Sequence, residues 1–195
     1  MERKFRRKIT SINFETGETK FQEAAILTND PSMTGWGWAV LSGNGNIHKT
    51  GCIKTAPEQK KRRIRKGDDT VRRASELIKQ LVSIIKTYNV QLIISELPHG
   101  SQNAQAAVMI GLVTGIMQTM ADVLGLPIEW FSEGDAKKCL LGKLSATKQE
   151  TIDAIDKIYE VEWTGIKYKD EAVADALAIY HCASEQSAVL KIMKR

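Results

Sequence analysis

Four carboxylates stand where the chain could do chemistry. Asp30 closes the apolar run that begins at Ala24, and Pro31-Ser32 then break the strand. Glu96 is in the same situation, since Val90-Gln91-Leu92-Ile93-Ile94 reads as a buried strand ending in Ser95-Glu96-Leu97-Pro98. Glu171 and Asp175 lie four apart in a C-terminal helical stretch, about 40° from one another on one face. Asp170 points elsewhere and suits a helix N-cap. Four acids gathered without a cation would have strongly raised pKa values. Oxygen-only donors select a hard cation, so the cluster suits two-metal phosphoryl transfer, with two Mg²⁺ (or Mn²⁺ in their place) roughly 3.5–4 Å apart.

The elements needed to gather these acids are legible. Strands at about 24–29, 36–42 and 46–54 form an antiparallel meander, with Asn44-Gly45 as a hairpin signal. Asp68 and Asp69 suit the N-cap and first turn of a helix running to about Tyr88, with Val71, Ala74, Ile78, Leu81, Val82 and Ile85 facing the sheet. A strand reached through a helix runs parallel to the first, roughly 4.8 Å away if adjacent, so Asp30 and Glu96 would meet at the carboxyl edge of the sheet. A helix over about 101–124 follows. It carries Gly111 and Gly115, and no formal charge falls between Leu97 and Ala121 with His99 neutral. Gln102, Asn103, Gln105, Gln118 and Thr119 argue against a membrane span, so the expectation is a central buried helix. Its small residues read as tight packing on the sheet, with a subunit interface as the alternative. A strand at 128–131, a short helix at 133–141 stopped by Gly142, a helix started by Ser145 or Thr147, and a helix from Asp170 to about Leu190 complete an α/β domain. It spans 23–195, behind a basic tail at 1–22 that offers at most a short added strand.

The net charge of +5 is mild but unevenly placed. Lys60, Lys61, Arg62, Arg63, Arg65 and Lys66 form one run, which reads either as a solvated linker or as an arm that neutralises phosphates. Lys137, Lys138, Lys143 and Lys148 surround the break between two short helices, where free backbone N–H groups also suit phosphate; plain surface charge is the alternative. Cys52, Cys139 and Cys182 are odd in number and lack any CxxC spacing, so no disulfide or zinc site is expected and the setting is a reduced cytoplasm. No signal peptide is expected, because the charged start is not followed by a long apolar run.

At this point the motifs carry a resemblance. DPSMTGWGWAV, ISELPHGSQNA, LLGKLSATKQE and VADALAIYHCA, in that order, resemble the four motifs of the RuvC family of Holliday junction resolvases, especially its phage-type members. The resemblance covers about 24–186 and implies an RNase H-like fold with a five-stranded mixed sheet. It implies metal ligation by Asp30, Glu96 and Asp175, and places Lys148 and Lys137 near phosphates. The family's fourth ligand falls where this chain has Ala172; Glu171 is the expected substitute, with Asp170 as the poorer candidate. DNA contacts are expected from His99, Asn103, Lys138, Lys143 and the run at 60–66. The implied activity is Mg²⁺-dependent resolution of four-way junctions, or of other branched DNA, by a homodimer making paired symmetric nicks with 5′-phosphate and 3′-hydroxyl ends. Two other readings remain: a ribonuclease acting on RNA or RNA:DNA hybrid, which a dependence on the 2′-hydroxyl would reveal, and a non-catalytic DNA-binding protein. An actin-like ATP-binding domain is excluded by chain length and by the lack of a second Gly-rich loop.

Overall fold

The computed structural model describes residues 8–12, 19–22, 24–58 and 64–193. Alternation of side chains along the strands divides the apolar residues between two faces of one sheet, and each face is covered by helices. The sheet comprises β3 (Ala25–Asp30), β4 (Gly35–Ser42), β5 (Ile47–Lys54), β6 (Val90–Leu97) and β7 (Ile128–Ser132). Its order is β5-β4-β3-β6-β7. β3, β4 and β5 form the antiparallel meander, whereas β6 runs parallel to both β3 and β7. This is the expected five-stranded mixed sheet.

One face packs against α1 (Lys66–Thr87) and α2 (Ala104–Leu124) through Leu27, Trp36, Val40 and Ile93. The other, through Ile26, Ala39, Leu41, Leu92 and Ile94, packs against α3 (Glu133–Leu141), α4 (Lys148–Asp156), α5 (Lys167–Gln186) and α6 (Ala188–Met193). Helix α5 lies closest to the sheet for two reasons. Gly37 on β4 leaves room for it, since a Cβ there would meet the backbone of Ala172. The buried Thr28 hydroxyl on β3 donates to the Ala176 carbonyl at 2.6 Å.

Several expectations need correction. The N-terminal segment holds β1 (Lys8–Ile12) and β2 (Thr19–Gln22), an antiparallel pair forming a second sheet, where at most one added strand was expected. The N-cap of α1 is Arg65, with Asp68 and Asp69 both in the first turn, and Val71 is exposed while Ala74, Leu77, Leu81 and Ile85 carry the buried face. Ile166 and not Asp170 caps α5; the Asp170 carboxylate instead accepts from the Thr164 backbone N–H at 2.9 Å and the Thr164 hydroxyl at 2.7 Å, closing the loop before the helix. Helix α2 is not a buried central helix. Val113, Ile116, Met117, Met120 and Ala121 face the core, but Val108 is 64% and Val123 79% exposed, and a Cβ at Gly111 or Gly115 would meet nothing within 4 Å. Gly111 and Gly115 therefore do not serve packing on the sheet, whereas Ala121 does face the core. Cys139 and Cys182, distant in sequence, bring their sulfurs to 2.7 Å between α3 and α5 as free thiols.

Candidate active site

Asp30 is the last residue of β3 and lies on the face toward α5, two residues beyond Thr28. The β3–β6 register pairs Asn29 with Ser95, so the next step along both strands sets Asp30 level with Glu96. Asn29 and Ser95 point to the opposite face and hold that alignment: Ser95 Oγ donates to Asn29 Oδ1 at 3.0 Å, and Asn29 Nδ2 to the Ile94 carbonyl at 3.1 Å. Asp175 comes from α5, one residue before the carbonyl that Thr28 anchors. Lys148 is the first residue of α4, a helix begun by a Thr147–Glu150 capping box, and its ammonium reaches Asp175 Oδ2 at 2.5 Å.

The electrostatics bind these groups into one site. Burial pushes Asp30 up to about 7, reinforced by the charge of Asp175 and offset in part by Lys148. Glu96 is pushed up to about 8 by burial, then by Asp30 and Asp175. Asp175 is also raised by burial, against the charge and hydrogen bond of Lys148. Burial opposes the charge on Lys148, yet Asp175 and Asp30 together hold its pKa above the ordinary lysine value. Burial first, and the neighbouring acids second, thus disfavour the charged forms of Asp30 and Glu96, and a bound cation would favour them.

The expected fourth acid, Glu171, stands apart from this coupling. Glu171 pairs with Lys167 at 4.0 Å, and its charge is not among those acting on Asp30, Glu96 or Asp175. Glu133 acts on all three. It opens α3 directly after β7, whose Phe131 pairs with Glu96, and a hydrogen bond from Lys137 at 2.6 Å holds its pKa below the usual carboxylate range. Sequence reasoning took Glu133 only as the start of a short helix. Its position immediately after a strand end, as with Asp30, was the available signal.

The other expected residues divide. His99 is exposed at the rim and close enough to act on Glu133. Asn103 caps α2, accepting from Ala106 N–H at 3.1 Å, so its carbonyl is committed to the helix. Lys137 is bound to Glu133 and Lys143 to Glu150, whereas Lys138 is exposed. Residues 60–63 lie outside the described residues; Arg65, paired with Asp68 at 3.3 Å, and Lys66 lead into α1 and are exposed.

The donor set fits a divalent cation: carboxylate oxygens only, from β3, β6 and α5, two of them raised by burial and by the charge of neighbouring acids. As placed, no three His, Cys, Asp or Glu side chains among the described residues enclose an ion, and Lys148 supplies the positive charge between Asp175 and Asp30.

A mixed sheet of this order with acids at the carboxyl edge of its central parallel pair defines an RNase H-like nuclease architecture. A family model for RuvC, crossover junction endodeoxyribonuclease, matches residues 26–183. The chain belongs to the RuvC family. The enzyme of that name from Geotalea uraniireducens is 28% identical over 176 residues, covering 87% of this chain and 95% of the relative. The one from Ehrlichia ruminantium is 25% identical over 164 residues, covering 80% and 94%. Among solved structures, T. thermophilus RuvC in complex with a Holliday junction substrate superposes with a TM-score of 0.66 at 17% identity, covering 83% of this chain and 93% of that one. The yeast mitochondrial Holliday junction resolvase Ydc2 gives 0.59 at 10% identity, covering 87% and 82%.

Proposed function

We propose that the protein is an endodeoxyribonuclease that resolves Holliday junctions by hydrolysing phosphodiesters at the Asp30–Glu96–Asp175 site, acting in the cytoplasm where it meets DNA. The observation that carries this reading is the convergence of these three acids and Lys148 on one sheet edge, in a chain matched to the family over 26–183. Asp30, Glu96 and Asp175 would hold Mg²⁺, two ions per site, with Glu133 as the further acid in place of Glu171. A metal held by these residues would supply Lewis-acid chemistry, neutralising the acids and activating phosphate and water. Lys148 holds a positive charge at the N-terminus of α4, where a backbone phosphate would be met by both the ammonium and free N–H groups. Lys137 keeps Glu133 ionised.

Symmetric nicking of two strands needs two sites, and the exposed side of α2 supports a homodimer. An apolar groove of ≈ 510 Å³ runs between α1 and α2, lined by Ile78, Val82, Leu112, Ile116 and Met120 among others. A second copy is the occupant that suits it, because open glycines on one helix let the same helix of a partner approach closely across a two-fold axis. We take residues 23–195 as the nuclease unit, with the basic run at 60–66 as a phosphate-contacting arm.

The test is cleavage of matched synthetic four-way junction, Y-fork, linear duplex and RNA:DNA hybrid, with Mg²⁺ and with EDTA. Paired symmetric nicks confined to the junction and lost in EDTA support the reading. Cutting of forks or hybrids in preference to the junction would replace it with debranching or ribonuclease activity.

A further inference from the structure

We infer that Arg73, on the face of the sheet opposite the acids, is a positioning residue for the catalytic edge. It is 8% exposed, deep in the first half of α1. Its guanidinium donates to neutral oxygens: Nε to Thr55 Oγ1 at 2.8 Å, and Nη2 to the Met33 carbonyl at 2.8 Å and to Thr34 Oγ1 at 3.2 Å. Among the described residues no carboxylate forms an ion pair with it; Asp69, one helical turn earlier, is held by Arg72. A buried cation without a bound acid is a costly way to fasten a helix to a sheet, and a well-packed apolar residue would do that better. What the fork does that an apolar residue cannot is bind two points of one turn at once.

That turn is the one that follows Asp30. Residues 31–34 carry the chain from β3 into β4, and the turn is fixed from both sides. Ser32 Oγ accepts from the N–H groups of Thr34 and Gly35 at 3.3 and 3.4 Å. Thr55 donates its hydroxyl to the Met33 carbonyl and its N–H to the Thr34 carbonyl at 3.1 Å. Arg73 joins these oxygens, tying β5, the turn and α1 into one block. Asp30 is the last residue before that block and faces Gly37, the residue against which α5 closes. Removing the fork leaves the turn held only by Ser32 and Thr55, and loosens the backbone that aims the Asp30 carboxylate at Glu96 and Asp175.

The proposal rests on the acid site described above, so its test carries a control for that site. Arg73→Gln, Arg73→Lys, Asp30→Asn and Leu77→Ala are compared for thermal unfolding, for junction affinity in EDTA, and for single-turnover cleavage across a Mg²⁺ titration. Groups that orient metal-binding residues from behind typically contribute roughly 10- to 100-fold in metal affinity or activity. Arg73→Gln is expected to lose cleavage on that scale and to need more Mg²⁺ for half-maximal rate, with junction affinity unchanged. Arg73→Lys, with the charge but not the fork, is expected to recover stability more than rate. Leu77→Ala, which leaves a cavity in the same helix, is expected to lose stability but keep the Mg²⁺ requirement. If Asp30→Asn still cuts, the acid site is wrong whatever Arg73 does. If Asp30→Asn is inactive and either Arg73 variant that folds cuts with the wild-type rate and Mg²⁺ requirement, the positioning role is overturned. A loss of rate that follows unfolding temperature equally in Arg73→Gln and Leu77→Ala overturns it as well.

Discussion

Replacing Gly37 by Ala should separate the acids without touching any of them. A Cβ at this position would lie 2.9 Å from the Ala172 Cβ and closer still to the Ala172 carbonyl. Carbon atoms in good contact lie about 3.5–4.0 Å apart and the Ala172 carbonyl carbon would lie only 2.4 Å away, so β4 and α5 must part by roughly 1.1–1.6 Å. Both neighbours are main chain or the stub of a helical alanine, so no side-chain rotation relieves the clash. The displacement falls on the helix that carries Asp175, opposite the strand residue paired with Asp30. A misplacement of that size costs on the order of 100-fold in rate. Overpacking costs about 1–3 kcal/mol. Weakening the Thr28–Ala176 hydrogen bond adds about 1 kcal/mol. For a chain of this size the total of about 2–4 kcal/mol lowers the unfolding temperature by roughly 4–16 °C. Single-turnover junction cleavage well below that temperature, junction affinity in EDTA and thermal unfolding would be measured together. The expected result is intact binding with slow cleavage. A variant that cuts within about threefold of wild type, with unchanged stability, would refute the argument that close approach of α5 sets the geometry.

Other outcomes follow from the same structure. Lys148→Met removes the charge that lowers Asp30 and Asp175, so cleavage should fall about 100-fold and its acidic limb should move to higher pH; an unshifted pH–rate profile would separate Lys148 from the acids. Asp30 and Glu96, raised to about 7 and about 8, hold protons that the unfolded chain has released. Their effect on stability is therefore most favourable below the ordinary carboxylate range and fades as pH rises through 7 and 8. In EDTA the unfolding temperature should fall between pH 5 and 8, and added Mg²⁺ should restore more at pH 8 than at pH 6; a flat profile, unaffected by Asp30→Asn, would contradict this. Gly115→Glu should convert a dimer to a monomer in sedimentation and turn paired nicks into single ones, whereas an unaltered dimer would move the interface away from α2. Neutralising residues 60–66 should flatten the salt dependence of junction binding, by close to one unit of slope for each phosphate left without its cation; an unchanged slope would make the segment a linker.

The acids on strands were legible because the sequence marks strand ends directly: an apolar run followed by Asp30-Pro31, and another followed by Glu96-Leu97-Pro98, need only the right-handed crossover rule to become neighbours. Asp175 was legible through its motif and its helix. Glu133 was hidden because its local surroundings, a Ser132 N-cap and Lys137 one turn on, account for it fully as a first-turn acid. Only the pairing of β7 with β6 brings it to the site, and that pairing is a long-range fact. Glu171 was read from helical spacing to Asp175, a one-dimensional argument; in the structure it lies 4.0 Å from Lys167 on the same helix, and its charge is not among those acting on the other acids. Arg73 lies among the polar residues of an amphipathic helix, and nothing in its neighbourhood says that the chain will bury it against a turn forty residues earlier. The apolar character of α2 was visible, but which of its faces meets the core depends on where α1 lies.

The most direct test of the acid site is single-turnover cleavage of a four-way junction by Asp30→Asn, Glu96→Gln and Asp175→Asn, each with its junction affinity measured in EDTA. All three should bind the junction within a few-fold of wild type, and each should lose on the order of 1,000-fold or more in rate, since each removes a carboxylate from one shared cation site. Wild-type nicking by any one of them would contradict the assignment of Asp30, Glu96 and Asp175 as a single catalytic centre.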